Sequence, residues 1–570
     1  VRRSHPRLRG SGLALGCAAL ACVFGLSSSG CKDPPDPDQR VAPPAVDKDK
    51  GDALKTEAYR EALELALPDA RAALIAADPL AAYQLGLAPA ATPPLRSAER
   101  RALERLSDPA RAALDELDES YLPGAEVVIL RVMRFAFARI NDDLRRRAPA
   151  EQDPMVGLHA ISATLDELRY RLVHDDCDTA CQALPAALAE DVAALRGQLR
   201  AASVAGVTEA GLASAALAAE ARALASRPVV AQTEPLATGL EQLAAACDAH
   251  RSWLEQLALA LPKADRHEWT AKPAPRKLHA DAAIERLPAI LGESALARRL
   301  SVEERIDLAP GPAFVEIERH VRRWQALRET LVGDPDPRAD DPPKPVDAAR
   351  CEAALGRLRA GLEAVPEVGP PSLDCARYVA VIGDGPISEG RLVLELLDLG
   401  VIEPQRRALR TAELPEVALV AGPWSAQVHT HLRRLMLLAR LSEHAASAHA
   451  IEEARRALCL AEAALWIHAR LGPPDEVALT VGPPCADIGD AATITARVTG
   501  DPRAALAGFG LSLIGDEPAR MVGFDRFFWA PLGLMKILAT PKGMHPDEYS
   551  LPDDPEPAPD PEVEVELEQL

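Results

Sequence analysis

Aromatic side chains are scarce in this 570-residue chain, where Phe, Tyr and Trp together make up 4%. The residues that strands favour are thin, while Ala, Leu, Arg and Glu, all strong helix formers, crowd the sequence. Helix is the expected default, and a carbohydrate-binding module, which needs exposed rings, is disfavoured. Familiar catalytic signatures are missing as well. The chain has no H-E-x-x-H, no G-x-S-x-G, no C-x-x-C and no G-x-x-x-x-G-K-[ST]. His267-Glu268 begins like a zinc-peptidase helix, but Trp269, Thr270 and Ala271 follow and the second histidine is absent. Positive charge is in deficit: 64 Lys and Arg stand against 85 Asp and Glu, for a formal charge of −21. Such a chain repels phosphate backbones, so nucleic acid is not an expected partner. No internal period of about 20–50 residues appears, which argues against a repeat solenoid.

What is present is enough apolar residue, 48% of the chain, to build cores, and a length too great for one of them. The first 30 residues stand apart. Arg2, Arg3, Arg7 and Arg9 are followed by an uncharged stretch from Ser11 to Gly30 that carries Leu13, Leu15, Leu20, Val23, Phe24 and Leu26. Basic and then apolar is the layout of a secretory signal. Ser28-Ser29-Gly30-Cys31 closes it. Here the sequence resembles a bacterial lipoprotein signal, in which small residues precede a cysteine that is acylated and becomes the new N-terminus. The resemblance covers residues 1–31 only. It implies a lipid on Cys31, export, attachment to a bacterial membrane, and a body in the periplasm or at the cell surface. Ser28 stands where leucine is usual. Lys32, in place of the aspartate tied to inner-membrane retention, leans toward the outer membrane. The other reading of the same stretch is an uncleaved membrane anchor.

Composition divides the remainder. Residues 31–52 read as a Pro- and Asp-rich tether, and residues 334–347 repeat that chemistry as a linker or long loop. Residues 545–570 read as a disordered acidic tail. Between them the reading places a helical domain at 53–333 and a second at 348–540. The fold class is mainly α, multi-helix, with a small β element expected near residues 476–515. Val477–Val481, Thr493–Val498 and Gly510–Ile514 suggest it, being short, alternating or β-branched runs between Gly, Pro and Asp. Tyr378–Ile382, running into Gly383-Asp384-Gly385, likewise reads as a strand and turn. Val128, Leu130, Val132, Phe135, Phe137 and Ile140 occupy more than one face of a helix from Pro123 to Arg147, which is read as central. Phe314, Ile317, Val321, Trp324, Leu327 and Leu331 recur at three- and four-residue steps and read as a core stripe. Phe524 to Leu538 is the most aromatic stretch and is expected to pack a last core.

Seven cysteines follow Cys31. For an exported chain, disulfides are their first expected use. Cys351 with Cys375, Cys459 with Cys485, and Cys177 with Cys181 are candidate pairs, and Cys247 is left over as a buried thiol. His174, Asp175, Asp176, Cys177, Asp178 and Cys181 form the densest set of metal-ligand types, though a polar turn with a capping Asp and a disulfide explains it better. In the second half, His449 and Glu452 lie one helical turn apart, with His444 nearby among His429, His431 and His468. Paired His and carboxylate on bundle helices can hold a metal, so His449, Glu452 and His444 are candidate ligands, against a plain solvated helix face. No cofactor is expected. The first reading is a lipid-anchored interaction or structural protein with an envelope protein as partner. The alternative is an envelope metal-binding protein or hydrolase in the His/Glu-rich second half.

Overall fold

Short polar side chains open one helix after another. Asp178 accepts the Cys181 N–H at 2.8 Å, Ser203 that of Gly206 at 2.9 Å, Asp347 that of Arg350 at 2.7 Å and Asp490 that of Thr493 at 2.8 Å. Each satisfies a backbone donor that the first turn of a helix leaves over. The computed structural model describes residues 48–145, 153–261, 285–286, 289–304, 309–332, 342–363, 371–412, 425–441 and 443–514. These residues are mainly α-helical, as the composition predicts. Their strands are β1 (Ala201–Ala202) and β2 (Glu285–Arg286), paired in parallel.

The long helices are α1 (Lys48–Ala77), α2 (Ser97–Asp115), α3 (Gly124–Arg145), α4 (Met155–Val173), α5 (Thr179–Gln198), α6 (Val204–Ala225), α7 (Glu234–Ala260), α8 (Pro310–Val332) and α9 (Ala348–Leu362). After them come α10 (Glu389–Leu397), α11 (Glu403–Ala412), α12 (Ser425–Leu441), α13 (His444–His468) and α14 (Ala491–Gly500). Helix α7 runs against both α5 and α6. Gly239 makes that approach close, since a Cβ there would lie 3.0 Å from the backbone nitrogen of Ala186. Helix α13 takes α8, α10, α12 and α14 around its circumference. Its buried positions include Ala446, Ala450, Ala454, Ala461, Ala463 and Ala464, small enough to let neighbours close in on several sides.

The described residues from Lys55 onward form one compact unit with two hydrophobic cores. One core joins Leu63, Leu114, Leu130 and Phe137 with Ile317, Leu458 and Phe509. The other joins Leu158, Val192, Leu240 and Leu254 with Leu355, Tyr378 and Leu392. Neither follows the expected domain boundary at 334–347, since each draws on both sides of it. The end of that stretch is packed: Lys344 pairs with Ile387 in an antiparallel bridge and Val346 is buried. The helical stripe on α8 faces the first core through Ala313, Ile317, Val321 and Trp324.

Three expectations need correction. The β element near 476–515 is helical: Val477–Thr480, α14 and Phe509–Ile514 are all helices. On α14 the β-branched Ile494 and Val498 are four residues apart and both buried, a helical spacing that outweighs strand propensity. Tyr378–Ile382 is also helical, within Cys375–Ile382, with Asp374 as its cap and Tyr378 and Val381 buried three residues apart. The tether ends sooner than 52, because Lys48–Asp52 already belong to α1. Residues 1–47, the aromatic stretch at 524–538, the acidic tail at 545–570 and His267-Glu268 lie outside the described residues.

The three candidate disulfides are formed, with Cα–Cα distances of 5.3 Å for Cys177–Cys181 and 5.6 Å for both Cys351–Cys375 and Cys459–Cys485. Chain entropy gives the two longer loops about 3.5 kcal/mol each and the short one about 2 kcal/mol. Cys247 is a buried free thiol, its pKa pushed up to about 12 by burial.

An ion cluster ties α11 to α4 across 240 residues of sequence. The Glu167 side chain on α4 has 0% exposure. It accepts Arg171 Nε at 2.7 Å, both Arg407 terminal nitrogens at 2.9 and 2.5 Å, and Gln84 Nε2 at 3.0 Å. The guanidiniums also stack: Arg407 lies 3.7 Å from the Tyr170 ring centroid and Arg171 lies 4.2 Å from that of Tyr83. Burial opposes ionisation of Glu167, but Arg407 and Arg171 outweigh it and hold the carboxyl below its ordinary value. Its contribution is therefore complete above the ordinary glutamate range and is lost as pH falls through the depressed folded value. Glu167→Ala removes the shared acceptor of two largely buried guanidiniums and leaves them Asp176 and Glu403 as carboxylate partners. The expected cost is about 3–5 kcal/mol of unfolding free energy, read from the denaturant midpoint at neutral pH. The difference from wild type should shrink as pH is lowered through the depressed folded value, where wild type also loses the carboxylate.

Candidate functional site

Among the described residues the histidines of the second half do not gather. His449 on α13 turns toward α10, where its Nε2 lies 3.2 Å from Ser388 Oγ. Ser388 caps α10 and accepts the Arg391 N–H at 3.4 Å. Gly390 allows the two helices to meet, since a Cβ there would sit 2.7 Å from His449 Cδ2 and 2.8 Å from the Ala445 backbone. Glu452, one turn on, goes elsewhere: Arg455 at 2.5 Å and Arg456 at 3.0 Å take its carboxylate, and both arginines also reach Asp487. So His449 and Glu452 share a helix but not a site. The side chains of His444 and His429 lie outside the described residues. His431 is buried, which, with Arg434 nearby, pushes its pKa down to about 3. Among the described residues, no three His, Cys, Asp or Glu converge as a metal would require.

Serine beside imidazole is the first contact of a nucleophile–base pair, but the second contact, a carboxylate on Nδ1, is absent among the described residues. The pair joins α10 to α13.

The ligand-like run at 174–181 is occupied by structure. His174 Nε2 meets the Leu399 carbonyl at 3.0 Å. Arg377 takes Asp175 at 2.6 Å and Arg171 takes Asp176. Asp178 caps α5, and the cysteines are bonded to each other.

Two buried titratable groups on α13 were not legible as such. His468 has both ring nitrogens engaged: the Leu291 N–H donates to Nδ1 at 3.2 Å, which leaves Nε2–H to donate to the Val498 carbonyl at 3.1 Å. Only the neutral ring can do both, and burial lowers its pKa to about 4. Glu462 is 1% exposed, and burial, with Glu318 nearby, raises its pKa to about 8.

A pocket was missed by sequence reading altogether. Asp153, Pro154 and Gly157 at the start of α4, Leu195 and Leu199 at the end of α5, and His250 and Trp253 on α7 enclose about 240 Å³, part of it open to solvent. The enclosed part holds about one water, well short of a drug-sized site. His250 is 2% exposed, and among the described residues neither ring nitrogen has a partner. Burial, with Arg196 nearby, lowers its pKa to about 4, so it is a neutral donor and acceptor at pH 7. Burial raises the Asp153 pKa against the pull of Arg299, 3.7 Å away. Close by, His159 pairs with Asp501 at 2.7 Å. A spacing of three between His250 and Trp253 was the available signal, but it reads equally as a core face.

Glu462 and the histidines bend the pH profile in opposite senses. From the ordinary glutamate value near 4.5 up to about 8, the folded chain keeps a proton on Glu462 that the unfolded chain has released, so stability falls as pH rises through that window. For His468, stability falls as pH drops from about 6.5 toward 4, because the unfolded ring takes a proton the folded ring refuses. Glu462→Gln should remove a slope on the order of 1.4 kcal/mol per pH unit between pH 5 and 8. Denaturant midpoints of wild type and variant across that range check it, and parallel profiles would refute it.

No protein-family model and no curated protein matches the chain. Two solved structures align along most of it. One is a candidate lipoprotein of unknown function from Shewanella oneidensis, at 12% identity and a TM-score of 0.44, covering 86% of this chain and 100% of that one. The other is a candidate lipoprotein from Colwellia psychrerythraea, at 11% identity and a TM-score of 0.44, covering 84% of this chain and 98% of that one. At those values neither lends this chain a residue or an activity.

Proposed function

We propose that the chain is an exported lipoprotein whose helical body serves as an interaction or structural element of the bacterial envelope. The observation that carries export is the pairing of the cysteines: Cys177–Cys181, Cys351–Cys375 and Cys459–Cys485 are bridged, and five of those six residues, all but Cys177, have 0% exposure. Bridges of that kind form and persist in oxidising compartments. The basic and apolar residues ahead of Cys31 supply the route and the lipid site. Among the described residues no helix is long and apolar enough to cross a membrane, so those helices do not hold the body to the bilayer by spanning it. In this reading the lipid on Cys31 does so, in the outer membrane as Lys32 suggests, and the body faces envelope proteins rather than nucleic acid.

An interaction or structural role is supported by where the polar groups go. Glu167, Arg171, Arg407, Arg434 and Arg455 are engaged by partners within or between helices, and the Asp153–His250 pocket is too small for a sizeable substrate. The metal or hydrolase alternative centred on His449 and Glu452 loses ground, because those two side chains turn to different partners.

Cys31→Ser tests the anchor. In a bacterial host labelled with palmitate, the parent chain should carry label and sediment with membranes, and its N-terminal peptide should begin at an acylated Cys31. The variant should be unlabelled. An unlabelled parent, or a variant that still labels, would remove the lipoprotein reading.

A further inference from the structure

The three disulfides do not share one environment. At Cys351–Cys375 and Cys459–Cys485 both residues are fully buried, and the loops they close are 24 and 26 residues long. Cys177–Cys181 spans four residues, and only its second member is fully buried. Cys177 lies half-buried ahead of α5, and Cys181 is the third residue inside that helix. The local fold does not rely on the bridge. Asp178 caps α5 through the Cys181 N–H and receives the Tyr83 hydroxyl at 3.3 Å. Gln182 Nε2 donates to the Cys177 carbonyl at 3.2 Å, and His174 is fixed to Leu399.

We propose that Cys177–Cys181 is a thiol–disulfide exchange site that opens and closes in the folded protein, while the other two bridges are structural. The chemistry is directional. An external thiolate attacks Sγ of Cys177, the sulfur nearer to solvent, and forms a mixed disulfide with it. The Cys177–Cys181 bond breaks, and Sγ of Cys181 leaves with the electron pair. Access selects the sulfur attacked. Cys181, the third residue of a 20-residue helix, is fully buried, which leaves Cys177 as the reachable partner. When the external reagent is a dithiol, its second thiolate attacks the mixed disulfide and releases Cys177. The dithiol is then oxidised to a disulfide and the bridge is reduced to two thiols, a balanced two-electron exchange. Asp175, Asp176 and Asp178 would slow an incoming anion, but Arg377 and Arg171 pair with the first two.

The test uses the full oxidised chain under native conditions. It is treated with graded dithiothreitol, quenched with an alkylating agent and mapped by mass spectrometry, with circular dichroism alongside. Cys177 and Cys181 should be alkylated at reductant concentrations at least tenfold below those needed for either other pair, with helicity unchanged. If they open only together with the other pairs, or only as helicity collapses, the proposal fails. Direction is tested with single variants and glutathione disulfide. Cys181→Ser should form the glutathione adduct on Cys177 at least tenfold faster than Cys177→Ser forms one on Cys181. Equal rates, or the reverse order, would overturn the assignment of Cys177 as the attacked sulfur.

Discussion

A carboxylate with no water around it has to be surrounded by donors, and Glu167 is such a group. Its donors come from three places: Arg171 on its own helix, Gln84 ahead of it and Arg407 from α11. Because the cost of an unpaired buried charge is large, the position of α11 against α4 is decided less by apolar contact than by this requirement. Tyr170 and Tyr83 extend the constraint. Each offers a ring face to one of the guanidiniums, which orients the fork that grips Glu167. A buried ion cluster is a weak source of net stability but a strong source of register. Other pairings of these helices would leave the charges stranded.

Helix α13 poses the opposite problem. It is wrapped on several sides, and its alanines let the neighbours in, yet it carries His468, Glu462 and Arg455 into the interior. Each is handled differently. Arg455 is neutralised by Glu452 and Asp487 and donates to the Pro484 carbonyl. His468 is held neutral between Leu291 and Val498. Glu462 is held neutral by burial itself. The Cys459–Cys485 bridge fixes the segment after α13 back onto the helix next to Arg455. The helix thus combines covalent, ionic and neutral solutions to a single difficulty, that of passing polar residues through a core.

Much of the secondary structure was legible, and so were the disulfide partners. A capping residue such as Asp178 announces its helix start locally, whereas Asp490 was passed over in favour of a strand, and the core stripe on α8 needs only its own spacing. Sequence reading failed in two distinct ways. Where Val, Ile and Thr cluster between turn residues, as at 477–498, strand propensity dominates a short window, and the four-residue spacing of Ile494 and Val498 becomes decisive only once α13 is there to receive them. Contacts between distant segments were invisible for a different reason. Ser388 and His449 are 61 residues apart, and Glu167 and Arg407 are 240 apart, so no local pattern joins them. The Asp153–His250 pocket belongs to that second class, as it exists only where three helices meet.

These placements bear on what the body can do. Many of the buried acids and bases among the described residues are spent on joining helices. His449, the residue that looked most like a metal ligand, serves a helix contact instead. Two groups stand apart: the half-buried Cys177, bridged to Cys181, and the imidazole of His250, which faces a space of about one water. Under the proposed export the first of them gains meaning: in an oxidising compartment two fully buried bridges have only to form once, whereas one with a half-buried cysteine remains open to thiols that arrive later. Burial, rather than the mere presence of a disulfide, separates the bridges that hold this fold from the one that can report on its surroundings.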